Sequence, residues 1–237
     1  MLSYARNLPG LVKLATEGFP WRERVDFAAD EWRFRRTYEK FKNFTMVPER
    51  VYIENLRLAQ RVMRTSGSIV ECGTWRGGMI AGIADTLGPS RCYHLFDSFQ
   101  GLPPVTDIDG VEAREWQTSK SASDHHNNCT ASEAEARTAM SMSEATDYRI
   151  TPGWFAETLP KIRPQEPIAL LRLDADWYES TKCILDNLSA FVAPGGMIIV
   201  DDYFTWEGCT HAVNEYATRS KRRIRQWSNL ELCYILV

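Results

Sequence analysis

The chain has 237 residues, 44% of them hydrophobic and 11% aromatic, enough for one sizeable core and a domain of about 200 residues with extensions. Its 28 basic and 31 acidic residues leave a formal charge of −3, and the densest basic run, RSKRRIR at 219–225, reads as a solvated face before a terminal strand, so no nucleic-acid partner is expected. The opening MLSYARNLPGLVKLATEGFP is broken by Pro9, Gly10, Lys13 and Glu17, which disfavours a signal peptide or membrane span, and six scattered cysteines without a C-x-x-C pair favour a cytoplasmic compartment.

In chain order, residues 26–43 set Phe27, Phe34, Tyr38 and Phe41 at steps of seven, four and three, the spacing of one helical face. MVPERVYIENLRLAQRVMRTSG repeats that face through Tyr52, Leu56, Ala59 and Met63, with Gly67 as the stop. Residues 1–66 therefore read as a helical extension or cap, whose apolar faces suit either a dimer interface or a cover over a site. From residue 67 to 237 strands alternate with helices. SIVECG, CYHLFDS, YRITPG, IALLRLDAD and MIIVDDY read as strands. GGMIAGIADTL, STKCILDNLSAFVAPGG and GCTHAVNEYATRS read as helices, the second with Ile184, Leu188 and Phe191 on one face and a Pro-Gly-Gly stop. RIRQWSN and LCYILV form a closing hairpin, so one of them runs against the rest. The expectation is an α/β domain on a mostly parallel sheet. Leu102 to Asn128 shows no periodicity and is expected to be a lid or binding loop.

Ligands of such sheets bind beyond the carboxyl ends of the strands. The first strand ends in ECGTWRGG, where Gly73 permits a tight turn and Gly77 and Gly78 let the next helix start close to a ligand. Trp75 and Arg76 stand where a pyrophosphate needs bare backbone, which disfavours a dinucleotide and leaves a nucleoside open. Asp97 ends the second strand, twenty residues after Gly77, at the distance of a ribose-binding acid. The fourth and fifth strands end in Asp174 and Asp176, then Asp201 and Asp202. If those ends are neighbours, the carboxylates repel one another unless protons or a cation intervene, and Mg²⁺ is the economical cation. The bland alternative makes Asp176 and Asp202 helix caps. His94 reads as a core residue, His211 as a surface helix residue, and His125 and His126 as lid residues within reach of a substrate.

Taken in order, TMVPERVYIENL, VECGTWRGGM, LFDSFQGLP, GWFAETLP, LRLDADWYEST and GGMIIVDDY resemble the macrocin O-methyltransferase family over roughly residues 44–237. The resemblance implies a Rossmann-like seven-stranded methyltransferase sheet with its last strand antiparallel. It implies S-adenosylmethionine and Mg²⁺ as cofactors, and a small hydroxylated acceptor, a sugar or other vicinal diol of natural-product biosynthesis. Glu71, Cys72, Gly73, Arg76, Gly77 and Gly78 would surround the methionine part of the cofactor. Asp97 would bind the ribose, Ser98 and Phe99 lie near the adenine, Gly153 and Trp154 close its other side, and Met46 comes over the cofactor. Asp174, Asp201 and Asp202 match the metal ligands, and Asp176 the general base, with His125 and His126 as rivals. Met79 and Ala175 depart from residues frequent in relatives without removing a ligand. An aromatic-diol acceptor, a catalytically silent binding protein and, disfavoured by Trp75 and Arg76, a nucleotide-dependent oxidoreductase are the alternatives.

Overall fold

The computed structural model describes residues 21–119, 126–227 and 232–237, without the side chains of 21–29 and 126. The opening segment 1–20 and His125 lie outside the described residues, as do the side chains of Phe27 and His126.

Two helices precede the sheet, α1 (Trp21–Phe41) and α2 (Glu49–Gln60). Their expected faces are buried: Phe34, Phe41, Tyr52, Leu56 and Ala59 have no exposure. Both pack on α3 (Gly78–Leu87), so these faces are used within the chain. The seat is specific. Tyr52 donates its hydroxyl to the Gly78 carbonyl at 2.9 Å, and a Cβ on Gly82 would lie 1.8 Å from the same hydroxyl oxygen. Met63 does not share the face. Because α2 ends at Gln60, the turns that follow swing it outward, 49% exposed.

The strands are β1 (Ser68–Cys72), β2 (Cys92–Asp97), β3 (Asp147–Pro152), β4 (Ile168–Leu173), β5 (Val192–Val200), β6 (Ile224–Gln226) and β7 (Cys233–Leu236). They form one seven-stranded sheet in the order β3-β2-β1-β4-β5-β7-β6. β1 to β5 are parallel, and β7 enters antiparallel between β5 and β6, as the closing hairpin predicts. β1 and β4 are wholly buried and mostly apolar, as strands covered on both faces are, with Ser68, Glu71 and Arg172 as their polar members. Alternate residues feed two cores: Ile69, Leu95 and Leu170 meet the α1–α3 side, while Val70, Cys72, Leu171 and Leu173 meet the side covered by α6 (Tyr178–Leu188) and α7 (Glu207–Ser220).

Three expectations change. The helix α6 ends at Leu188, and β5 begins at Val192, so Pro-Gly-Gly lies inside the strand segment. There the Gly195 N–H donates to the Val237 carbonyl at 2.8 Å, pinning the chain terminus to β5. The segment from Leu102 contains a 3₁₀ turn (Asp107–Asp109), started by a capping box between Thr106 and Asp109, that runs into a helix, α4 (Gly110–Thr118). The helix escapes a periodicity test because Val111 is 64% exposed and only Ala113 is buried. A further helix, α5 (Glu133–Met142), was absent from the sequence reading although Ser132 and Glu135 form the S-x-x-E capping box that announces it.

The Gly82 seat gives a test against helix propensity. Gly82→Ala gains about 1 kcal/mol of intrinsic helix preference. It is nevertheless expected to destabilise the protein by ~1–3 kcal/mol in urea unfolding, because the new methyl displaces the Tyr52 ring. A net stabilisation would show that α2 does not seat on α3 in this way.

Candidate active site

The chain leaves β1 and moves outward to β2 and β3, then returns to β4 on the other side of β1. That reversal opens a crevice at the carboxyl ends of β1 and β4. The two ends touch. Asp174 donates its N–H to the Cys72 carbonyl at 3.0 Å, and a Cβ on Gly73 (φ +85°) would lie 1.6 Å from the Asp174 carbonyl oxygen. Gly73 is thus required twice, by its left-handed backbone and by the close approach. Gly77 and Gly78 are also required by helix packing: a Cβ on Gly77 would meet Ala136 of α5 at 3.1 Å, and one on Gly78 would meet the Phe44 carbonyl at 2.5 Å. Neither lines the two cavities over the strand ends.

A cavity of about 590 Å³ lies over these strand ends, lined by Met46, Gly73, Asp97, Ser98, Trp154, Asp174 and Asp176 among the expected residues. A smaller one of about 150 Å³ adjoins it, lined by Met46, Glu71, Gly73, Thr74, Asp174 and Asp201. Other expected residues stand elsewhere. Cys72 is buried in the core on the α6–α7 side. Arg76 pairs with Glu135 at 2.9 Å and stacks over Trp75. Phe99 packs against the α1–α3 core, and Gly153 donates its N–H to the Asp97 carbonyl, which brings the next residue, Trp154, to the cavity. His94 is half-buried in β2 and His211 is exposed on α7, as expected.

Asp97 is held by main-chain donors. Its Oδ2 accepts from Trp75 N–H and its Oδ1 from Phe99 N–H, each at 2.7 Å. Burial raises its pKa, and donors from Phe99, Trp75, Thr74 and Ser98 work against that rise. The same turns place Trp75 (φ 47°), Phe99 (φ 56°) and Asp176 (φ 56°) in the left-handed region. Non-glycine residues there are strained by about 1–2 kcal/mol each, and all three follow strand ends around the crevice.

The acids meet around one arginine that the sequence reading did not single out. Glu71 and Arg172 are register partners on β1 and β4, and Arg172 opposes Ile199 on β5. Side chains alternate, so Glu71, Arg172, Asp174 and Asp201 share the sheet face toward α2. Arg172 Nη1 donates to Glu71 Oε1 at 2.7 Å and to Asp174 Oδ2 at 2.9 Å, and Nη2 lies 2.6 Å from Asp201 Oδ1. A cation in the middle of an otherwise apolar strand was the available signal. Asp202 Oδ2 accepts the N–H groups of Ala175 and Asp176 at 3.1 and 3.0 Å, which ties the fifth strand end to the fourth. Asp176 Oδ1 accepts the Trp206 indole N–H at 3.0 Å.

Asp174, Asp201 and Asp202 offer carboxylate oxygens within 4.8 Å of one another. One oxygen of each is held by protein donors, and among the described residues the second oxygen of each accepts none. That is an all-oxygen donor set of three carboxyl groups, each with an oxygen to spare, and it fits a hard divalent cation such as Mg²⁺. The fit for an aminoacyl nucleoside rests on different atoms. Glu71 Oε2 and Thr74 Oγ1, buried without a partner, belong to residues of the smaller cavity, and Asp97 presents a carboxylate to the larger one.

The far wall comes from the segment before and within α4. Trp177 donates its indole N–H to the Pro103 carbonyl at 3.0 Å, and Gln117 Nε2 does so at 2.9 Å. Asp109 Oδ1 accepts Tyr178 N–H at 2.7 Å. Trp116, Trp177 and Trp206 pack edge to face with centroids 5.2–6.1 Å apart, joining this wall to the residue that holds Asp176.

The sheet order and a ligand crevice at its strand ends define the Rossmann-like methyltransferase fold. The macrocin O-methyltransferase (TylF) family matches residues 25–227, and the chain belongs to that family. Its relatives include a demethyldecarbamoylnovobiocin O-methyltransferase of Streptomyces niveus, 39% identical over 160 residues, 65% of this chain and 59% of that protein. An 8-demethyl-8-(2,3-dimethoxy-alpha-L-rhamnosyl)-tetracenomycin-C 4'-O-methyltransferase of Streptomyces olivaceus is 34% identical over 159 residues, again 65% and 59%. The matched region thus spans about three fifths of the length of these curated relatives. The solved structure of the O-methyltransferase NovP superposes with a TM-score of 0.67 at 31% identity, covering 81% of each chain. Among the described residues no helix is long and apolar enough to cross a membrane.

Burial raises Glu71 from 4.5 to about 8, against the opposing pull of Arg172. Burial and the Asp174 charge raise Asp176 to about 8, burial raises Asp174 to about 6, and burial with the neighbouring acids raises Asp202. Between the unfolded and folded pKa values the native state holds more protons, so stability falls as pH rises. Burial raises Asp97 as well, and His94, lowered by burial, acts in the opposite direction, one group against five. In chelator, the melting temperature is expected to drop from about pH 5 to about pH 8, and Glu71→Gln to flatten that slope. A melting temperature that climbs over this interval, or an unchanged slope in the variant, contradicts the assignment.

Proposed function

We propose that this chain transfers the methyl group of S-adenosylmethionine to a hydroxyl of a small natural-product acceptor, with Mg²⁺ held by Asp174, Asp201 and Asp202. The observation that carries the reading is the convergence of three half-anchored carboxylates and Asp176 beside a cavity that Gly73, Asp97 and Trp154 also line. The relatives, O-methyltransferases of demethyldecarbamoylnovobiocin and of a rhamnosyl-tetracenomycin, support the acceptor class.

In this reading Asp97 accepts hydrogen bonds from the ribose hydroxyls, Ser98 and Trp154 flank the adenine, and Met46 covers the cofactor. Glu71, Gly73 and Thr74 receive its amino-acid end, where the unpartnered Glu71 and Thr74 oxygens await donors or acceptors. Bound S-adenosylmethionine supplies an electrophilic methyl, so that the acceptor oxygen gains a C–O bond as the C–S bond breaks. The divalent ion supplies Lewis acidity that eases ionisation of an acceptor hydroxyl. Asp176 takes the displaced proton at Oδ2, because Trp206 occupies its Oδ1 and thereby fixes the carboxyl plane. Two adjacent acceptor oxygens suit such an ion, which favours a vicinal diol, sugar or aromatic. Leu102, Pro103 and Phe155 supply apolar walls for the rest of the acceptor. All six cysteines are unpaired, in keeping with a reducing, cytoplasmic setting.

Calorimetry with S-adenosylmethionine, followed by a methyl-transfer screen over diol-bearing sugars and aromatics in Mg²⁺ or chelator, tests the reading. Absence of cofactor binding at millimolar concentration refutes it, and would leave a silent binding protein as the account. Asp201→Ala is expected to abolish metal-dependent turnover while cofactor affinity stays within a few-fold. Asp176→Asn is expected to lower kcat by ~10²–10⁴ and keep the metal. Full turnover in Asp176→Asn moves the base elsewhere, to His125 or His126.

A further inference from the structure

Helix α2 reaches the acid cluster and its arginine through Asn55. Asn55 lies on α2 and has no exposure, like Arg172. Its Oδ1 accepts Arg172 Nε–H at 3.0 Å, and its Nδ2 donates to Asp201 Oδ1 at a longer 3.4 Å and to the Val51 carbonyl at 3.1 Å. Arg172 in turn reaches Asp174 Oδ2 and Asp201 Oδ1 with different nitrogens. Every one of these contacts falls on one oxygen of its acid. Asp174 Oδ1 and Asp201 Oδ2 accept no hydrogen bond among the described residues.

We propose that Arg172 and Asn55 are a positioning pair that aims the free oxygens of Asp174 and Asp201 at the divalent ion, so that helix α2 completes the site. The inference rests on the metal reading above. Two carboxylates this close repel and turn apart unless something fixes each plane. The guanidinium does so because its planar fork donates a hydrogen bond to Asp174 from one nitrogen and sets the other against Asp201 as an ion pair, which a lysine point charge does not. Asn55 fixes the fork itself by taking its Nε–H, and it touches Asp201 without adding charge. Partners that orient ligating side chains in this way commonly govern metal affinity as much as shape.

The test uses the full chain and Mn²⁺ alone as the probe, titrated by calorimetry and followed by the paramagnetic resonance of the free ion. Asn55→Leu keeps the side-chain volume and removes the polar contacts, while Arg172→Lys keeps the charge and removes the fork. Both are expected to bind Mn²⁺ ~10–100-fold more weakly than the native chain. In Asn55→Leu, which leaves the Arg172–Glu71 contact in place, S-adenosylhomocysteine affinity is expected to stay within about twofold, which a general loss of structure would not allow. Where Arg172→Lys fails to melt cooperatively, Asn55→Leu carries the test. Folded variants that bind Mn²⁺ within about twofold of the native chain overturn the pairing while leaving the metal reading intact. A parallel loss of both ligands in Asn55→Leu also overturns it. A native chain that binds no Mn²⁺ refutes the metal reading itself, and the pairing with it.

Discussion

A single buried guanidinium governs the arrangement of the crevice. Burying Arg172 in a parallel sheet is unfavourable unless its donors are satisfied and its charge is met. The chain meets it with Glu71 from β1, Asp174 beyond β4, Asp201 beyond β5 and the amide of Asn55 from α2. Burial works against the charge on Arg172, but Asp201, Asp174 and Glu71 outweigh it and hold the guanidinium protonated. The acids are in excess all the same. With Asp176 and Asp202 added, five carboxyl groups face one fixed cation, and the surplus appears as raised proton affinity. If the three proposed ligands are ionised, one arginine and one divalent ion neutralise them, which is why a single ion suits this cluster.

Around that centre, precision comes from the main chain. Asp97 and Asp202 each accept two backbone N–H groups, so their positions follow from the turns after β1, β2 and β4 more than from side-chain packing. Those turns hold Trp75, Phe99 and Asp176 in left-handed conformations, and the contacts that maintain them are the same contacts that shape the cavity. Strain of this kind persists where the surroundings over-determine it, and here the determinants are the close approach of β1 to β4 and the tie from Asp202.

The two sides of the cavity are built differently. The side toward β1 and β2 consists of strand ends and main-chain donors, which tolerate little change. The opposite wall is a connection pinned by indole N–H groups, a glutamine amide and a tryptophan cluster. A wall of that kind can be altered in sequence and length without disturbing the sheet, as expected where relatives share a core and differ in acceptor.

Much of this was legible in the amino-acid order. Apolar runs ended by glycine or aspartate marked β1, β2, β4 and β5, and the Asp-x-Asp and Asp-Asp pairs identified the acids, because strand composition and strand-end chemistry are local signals. Helix α4 was not legible, since tertiary hydrogen bonds to Pro103 and Asp109 hold it where periodicity is weak, and α5 was passed over despite its capping box. At Gly77 and Gly78 the sequence shows a missing side chain but not what stands against it, which is Ala136 and Phe44. By itself, then, the sequence determined the strand-and-helix alternation and which residue types stand at the strand ends. Only the tertiary structure decided that Glu71, Arg172, Asp174 and Asp201 share one face and that Asn55 reaches them. Register and side-chain alternation are relations between strands distant in the chain, and no local pattern encodes them.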